Sequence, residues 1–418
     1  MQPLQGDDPV STVLEPTPAH AARSSRDPVG RYLDEFPFTG PGRVVGDYLR
    51  RFWQPVSRSV DIPAGKAKPI TVMNARYTLY RGASGEAFVV DHHCPHRGTQ
   101  LSVGYVEGDE IRCLYHGWKF RGDGLCTERP GEKGKSGGGM RTGAYPTREF
   151  LGLVYAYFGE GEAPAFPPYP AFEGEGIIEV YATLLPVNWF QGWENDWDPF
   201  HASFTHRAGG LHEIDYDAAI ASEKNEELDY GVRRTMDIGD GETNTAILLM
   251  PATVQLLIPT FNGQAGRDNG PQVRPTYLIH VPVDDHSHIA YLTQLVPLEA
   301  SERDDYLRHY AEMLALMAAS PTPAEVAGDI LANGLRTTAD VKDHPMLVEI
   351  EDSLAQGGQG TIADRHAEHL GRTDAGVVML RRLMARELDA IADGREPKAW
   401  TPCPLIPIAG AYRWASDS

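Results

Sequence analysis

Cys94-Pro95-His96 and Cys113-Leu114-Tyr115-His116 are the stretches on which the reading of this 418-residue chain turns. Each joins one thiolate to one imidazole, and sixteen residues separate His96 from Cys113. Two sulfurs and two nitrogens suit a pair of irons of which one is held by cysteines and the other by histidines. Replacing two thiolates by neutral imidazoles takes negative charge off one iron, so such a centre accepts an electron more readily than an all-cysteine cluster. Arg97-Gly98 follows the first stretch and Gly117-Trp118 the second. Glycine there allows the positive φ of a tight turn, which leaves backbone N–H groups free to face cluster sulfurs.

Around these loops the chain reads as short strands: Pro69 to Met73, Arg76 to Tyr80 and Glu86 to Val90 alternate and are joined by glycine-containing turns. The expectation is a small all-β Rieske [2Fe–2S] domain over 29–170, with an N-terminal helix between Phe36 and Pro55 and the cluster loops as hairpin tips. A structural zinc site is the alternative for the same four residues. Zinc motifs, however, usually bring like ligands together in each knuckle, whereas each loop here supplies one sulfur and one nitrogen. Residues 1–28, rich in Pro, Ser, Asp and Ala, read as a mobile tail. Residues 130–143 read as a glycine-rich surface loop, and Leu151 to Phe158 as the closing strand. Four prolines between Pro164 and Pro170 make a stiff connector and place a boundary near 170.

The second informative stretch runs from Asn188 to His206, NWFQGWENDWDPFHASFTH. Two histidines with nearby carboxylates are the raw material of a mononuclear Fe(II) site, in which a 2-His-1-carboxylate face leaves positions free for dioxygen and substrate. Taken alone, the stretch could equally be an amphipathic helix with an aromatic core face and a wet acidic face. On an ideal helix His201 and His206 stand about 140° apart, so a helix over 189–206 must bend, unwind or bulge between them.

Together, the two stretches resemble the oxygenase component of the Rieske non-haem iron oxygenases, over nearly everything from Val44 to Ile391. The match is nearest to the branch of phthalate dioxygenases and aromatic O-demethylases, which have α subunits only. That family's Asp-x-x-His-x-x-x-x-His falls on Asp198, His201 and His206, and its Gln-x-x-Glu on Gln191 and Glu194. The resemblance implies that His201 and His206 bind iron. It also implies that Asp198 hydrogen-bonds His201 and, in a neighbouring subunit, the cluster ligand His116, bridging the two metals. The stretch from Glu349 to Arg365, followed by Glu368-His-Leu-Gly371, resembles the family's ligand helix and puts the third ligand on Asp352. Glu349 and Glu351 lie close enough to be mistaken for it, and a solvated acidic helix face is the ordinary role for such residues.

Length and composition agree with this reading. A chain of this size supports two or three domains with cores of their own. A net charge of −20 argues against nucleic acid or an anionic membrane surface as the main partner. Four cysteines make no disulfide framework, and Cys126 and Cys403 beyond the cluster pair read as ordinary reduced thiols of a cytoplasmic protein. No apolar run is long enough to span a bilayer.

Beyond residue 170, strand-like runs at 253–259, 276–283 and 288–296, the last two turning at Asp284-Asp285, precede helical segments at 301–318, 345–357 and 373–393. The last helix carries Val377, Leu380, Met384, Leu388 and Ile391 on one stripe, with Thr373 as its N-cap and Gly394 as its stop. Residues 171–418 are thus expected to be an α+β catalytic domain, an antiparallel sheet covered by helices. The resemblance implies a homotrimer that takes electrons from an NADH-dependent reductase or ferredoxin and spends them with O₂ on a small aromatic substrate. Either ring cis-dihydroxylation or O-demethylation fits; an electron-transfer protein without oxygenase activity is the alternative of a different class. Asn195, Phe200, Phe204, Leu256 and Ile258 are candidate pocket residues that could equally be core. Arg207 reads as a surface ion-pair partner.

Overall fold

The computed structural model describes residues 28–132, 139–166, 176–209, 215–239, 242–259, 273–298 and 300–401. Most of the N-terminal tail, the centre of the glycine-rich loop, the end of the proline connector and Cys403 lie outside the described residues.

The N-terminal half is built from antiparallel strands in three small sheets. Trp53–Arg58, Leu153–Tyr157 and Thr147–Phe150 form one, and Ala67–Val72, Ala75–Arg81, Ala87–Asp91 and Ala144–Tyr145 a second. Tyr105–Glu107, Glu110–Arg112, Lys119–Arg121 and Cys126–Glu128 form the third. Met73 and Asn74 join the first two strands of the second sheet with φ of +50° and +62°. Positive φ at both central residues makes a two-residue hairpin that follows the strand twist. The N–H groups of this tip donate to Pro282 and Val283 carbonyls at 2.7 and 2.9 Å, which docks the hairpin on the larger sheet of the second half.

That sheet has seven antiparallel strands, in the order Gly176–Leu185, Ser287–Pro297, Val273–Asp284, Thr253–Pro259, Glu242–Leu249, Gly231–Gly239, Lys224–Glu227. The three strands read from the sequence are present, and Asp284 pairs with Ser287 at the expected hairpin end. Helix Trp189–Trp197 packs on the sheet, with Leu347–Gly357 and Ala375–Ala392 against it. Trp189, Trp193 and Trp197 recur every four residues and are fully buried, so one face of the helix is aromatic core. Truncating any of them would cost about 3–5 kcal/mol. With an all-β cluster region and an antiparallel sheet covered by helices, the fold is α+β, as expected.

The structure departs from these expectations in several details. The helix over 189–206 is two helices, Trp189–Trp197 and Ala202–Thr205, interrupted upstream of His201 rather than between the histidines. Pro199 explains the position of the break, because a residue before proline is pushed out of the helical region and Asp198 is extended at φ −81°, ψ 114°. The last helix starts after Asp374, one residue beyond Thr373, because a short 3₁₀ turn over Arg372–Asp374 leads into it; Gly394 ends the helix with φ +68°. Helix Pro323–Asn333 is an additional element, with Thr322 and Glu325 forming a capping box at its start.

Candidate functional site

The two cluster loops repeat one hydrogen-bond pattern. Cys94 N donates to Thr99 O and Gly98 N to Cys94 O; Cys113 N donates to Trp118 O and Gly117 N to Cys113 O. Gly98 and Gly117 have φ of +75° and +73°, the left-handed turn that the sequence assigned to them. Both cysteines are buried in a small core with Tyr80, Leu101, Ile111 and Phe120, whereas His96 and His116 are exposed with ring centroids 4.6 Å apart. Trp118 stacks flat on His96 at 4.5 Å. Burial pushes the Cys94 thiol up to about 11, against the pull of the His96 and Arg97 backbone N–H groups, while Cys113 raises it further. A metal bound there would replace the thiol proton, so both cysteines would act as thiolates.

The second site is assembled by the unwound turn and the facing helix. Asp198 Oδ1 accepts from Phe200 N at 2.8 Å and holds the turn. His201 Nδ1 donates to the Asp198 carbonyl at 2.6 Å, and His206 Nδ1 donates to Glu351 Oε2 at 3.1 Å. With both Nδ1 atoms committed as donors, each Nε2 keeps its lone pair. Those Nε2 atoms lie 3.7 and 3.4 Å from Asp352 Oδ1. Of the described residues, His201, His206 and Asp352 can each offer one ligand atom so that all three lie within 4.8 Å of one another. Two imidazole nitrogens and one carboxylate on one side of a small space fit a divalent iron with open positions.

Asn195 adds a fourth polar group, its Nδ2 donating to Asp352 Oδ1 at 3.1 Å and standing 3.5 Å from His201 Nε2. The Asp198 carboxylate stands 3.8 Å from His201 Nδ1, so within one chain it is the carbonyl of Asp198 that orients His201. Burial raises the pKa of that carboxylate, while His201 and the Phe200 N–H oppose the rise. Burial alone would lower His206, yet the Glu351 hydrogen bond and the charges of Asp352, Glu351 and Glu349 outweigh it and leave it raised.

Glu351 is not part of a solvated acidic face; it is buried, because the helix turns it inward onto His206. Glu349 also faces inward, and burial with the nearby charge of Asp352 pushes it up to about 7.

The Gln-x-x-Glu pair and the Asp-Arg that follows the ligand helix fasten the two helices together. Gln191 Nε2 donates to the Gln356 and Gly360 carbonyls at 3.0 Å each, and its Oε1 accepts from Ala363 N at 2.9 Å. Glu194 accepts from Arg365 Nη2 at 2.7 Å and from Arg381 Nε at 2.5 Å; Arg381 also reaches Glu368 at 2.6 and 3.0 Å. These buried bonds tie the helix that leads to the histidines to the helix that carries Asp352 and to the segments beyond it.

Of the other candidate pocket residues, Phe200 is core with Ala219 and Met236, Leu256 is partly buried against the main core, and Phe204 is 67% exposed. The side chain of Ile258 lies outside the described residues. Arg207 is exposed and makes no ion pair among the described residues, so the ion-pair role read for it is not found. No helix among the described residues is long and apolar enough to cross a membrane.

Residues 52–146 match the model of the Rieske [2Fe-2S] domain. The chain is 30% identical to the 5,5'-dehydrodivanillate O-demethylase oxygenase subunit of Sphingobium sp. (strain NBRC 103272 / SYK-6), over 89% of this chain and 83% of that protein. It is also 30% identical to the phenoxybenzoate dioxygenase subunit alpha of Ectopseudomonas oleovorans, over 90% of each. The solved structure of Pseudomonas putida CBB5 NdmA shares the fold, with a TM-score of 0.61 at 19% identity over 83% of this chain and 92% of that one. Full-length relatives of this kind, together with the paired loops, place the chain in the Rieske non-haem iron oxygenases, as an oxygenase component of the phthalate dioxygenase and aromatic O-demethylase type.

Proposed function

We propose that the chain binds a mononuclear Fe(II) through His201, His206 and Asp352 and a Rieske cluster through Cys94, His96, Cys113 and His116, and that it hydroxylates or O-demethylates an aromatic, carboxylated or methoxylated substrate. The observation that carries the reading is the convergence of the His201 and His206 Nε2 atoms on Asp352 Oδ1, at 3.7 and 3.4 Å, with each ring held from behind at Nδ1. Bound by these residues, a cluster would supply single electrons and Fe(II) would supply open positions for O₂ beside the substrate. The Asp198 carbonyl and the Glu351 carboxylate hold the imidazole tautomers. Asn195 holds Asp352 Oδ1 and limits how that carboxylate can turn.

Electrons come from a ferredoxin or an NADH-dependent reductase; a carbazole 1,9a-dioxygenase oxygenase solved with its ferredoxin shares this fold. Asp198 is the inter-centre bridge in this reading, and the exposed His116 is its partner across a homotrimer interface, so a stable monomer is expected to turn over poorly. The domains divide at about residue 170, and the protein works in the cytoplasm. The two relatives described above are named as a demethylase and a dioxygenase, which supports both outcomes: formaldehyde and a phenol from a methoxy group, or a cis-dihydrodiol from a bare ring.

The test has two parts. Purified protein should contain about three irons and two acid-labile sulfides per chain. With a reductase supplied, O₂ uptake and formaldehyde release across benzoates, phthalates and methoxybenzoates select the substrate class. Formaldehyde identifies demethylation; O₂ uptake with a diol and no formaldehyde identifies the phthalate-type reaction. Protein with a full cluster and no further iron would sink the proposal.

A further inference from the structure

Two histidines lie beneath the iron-site helix and are not used in the chemistry above. His280, on the strand Val273–Asp284, and His288, on its neighbour Ser287–Pro297, are 2% and 0% exposed, with ring centroids 5.0 Å apart. His280 Nε2 lies 2.6 Å from Asp196 Oδ2, and His288 Nδ1 donates to the Val187 carbonyl at 2.8 Å. The remaining nitrogens, His280 Nδ1 and His288 Nε2, are buried without a hydrogen-bond partner. Both border the space beside the Gly192 Cα, where a Cβ would come within 2.7 and 2.6 Å of them. Glycine is therefore required for the helix to sit this close to the sheet.

Asp196 lies in the last turn of helix Trp189–Trp197, outside both motifs that the resemblance supplied. Its neighbours carry the site: Asn195 holds Asp352, and Asp198 holds His201 through its carbonyl. The tryptophans on the same helix fix how deeply it is buried, and Gln191, Glu194 and the Arg234 bond to the Trp197 carbonyl tie it at other points; the Asp196 bond adds a directional tie to the sheet beneath the turn that carries Asn195. A short carboxylate–imidazole bond is directional and charge-assisted, and this one is enclosed, with side chains 13% and 3% exposed. His288 cannot compete for the carboxylate. Burial pushes its pKa down to about 3, so it stays neutral behind the His280 ring.

We propose that Asp196, fastened by His280, is a positioning residue for the iron site: it sets the rotation of the last helical turn and through it the approach of Asn195 and His201 to Asp352. His288 and Gly192 close the back of the His280 ring so that Nε2 is the nitrogen presented to Asp196. The proposal rests on the Fe(II) assignment to His201, His206 and Asp352.

The test uses the full chain with its cluster, loaded anaerobically with Fe(II). Retention of Fe(II) is measured by chelator competition, and site geometry by the electron paramagnetic resonance signal after adding nitric oxide. Asp196→Ala and His280→Ala should each weaken Fe(II) retention about 10–100-fold and broaden the nitric oxide signal, with the cluster absorption unchanged. Asp196→Asn, which still accepts the His280 N–H, should recover most of the loss. The Ala–Ala double variant should be no weaker than either single, because one interaction is removed in all three.

Retention within twofold of wild type with an unchanged signal, or losses that multiply in the double variant, would overturn the proposal. If the Ala variants lose their cluster and precipitate, Asp196→Ser, too short to reach His280, decides by the same twofold criterion. Wild-type protein that holds no Fe(II) would remove the iron assignment itself; wild-type binding with indifferent variants would remove the positioning role alone.

Discussion

Glu194→Gln keeps the shape of the side chain and removes one negative charge from between two guanidinium groups. Glu194 is 11% exposed, Arg365 1% and Arg381 5%, so solvent compensates little of that loss. Arg381 retains Glu368, whereas Arg365 is left without a counter-charge and already has one buried nitrogen, Nη1, lacking a partner. Breaking a buried pair from one side costs about 3–5 kcal/mol. The Arg365 guanidinium keeps its place over the Phe190 ring at 4.8 Å, a contact worth about 0.5–2 kcal/mol, which argues for the lower end. At roughly 2–4 °C per kcal/mol for a domain of 150–250 residues, about 3 kcal/mol is a fall of about 6–12 °C in melting temperature. Thermal scans by far-ultraviolet circular dichroism at one scan rate measure it. Replacing Glu194 and Arg365 together by Met should cost far less than the single change, because Arg381 keeps Glu368 and no buried charge is then stranded. A Glu194→Gln variant that melts within about 2 °C of wild type would refute the assignment of this network as the tie between the helices.

Asp352→Ala should lose the mononuclear iron while the cluster's visible spectrum is unchanged; metal analysis beside absorption reads both. Glu351→Gln should weaken Fe(II) binding by about 10–100-fold through the loss of a charged acceptor at His206 Nδ1, checked by chelator competition. His288 gives a pH dependence of definite sign. Its folded pKa of about 3 lies below the ordinary 6.5, so the unfolded chain binds more protons between those values and stability falls as pH falls. By pH 4 the loss is on the order of 3 kcal/mol, and His288→Leu should flatten that part of the curve in urea melts compared with wild type.

The sequence made the cluster loops legible because their pattern is local: four candidate ligands, two glycines and short strands all lie within one short segment. The Asp198-His201-His206 motif was legible for the same reason. Glu351 was not, because a helix carrying three acids does not announce which of them turns inward; only the packing against His206 selects it. Pro199 did carry a readable signal, and it locates the helix break better than the angular spacing of the histidines. The strands Gly231–Gly239 and Glu242–Leu249 mix charged and polar residues with few apolar ones at their outer ends, so period-two alternation was too weak to separate them from loop. Arg365, Arg381 and Glu194 lie far apart in sequence, and their association depends on tertiary packing.

Cys94 and Cys113 face a core of Tyr80, Leu101, Ile111 and Phe120, while His96 and His116 look outward beside Leu114 and Tyr115, which are 50% and 55% exposed. Tunnelling falls steeply with distance, and on the sulfur side a donor would have to stand beyond a full layer of side chains. A cluster held by these four side chains would exchange electrons through its imidazole edge, so a donor that charged it and an acceptor that discharged it would have to share or take turns at one small face.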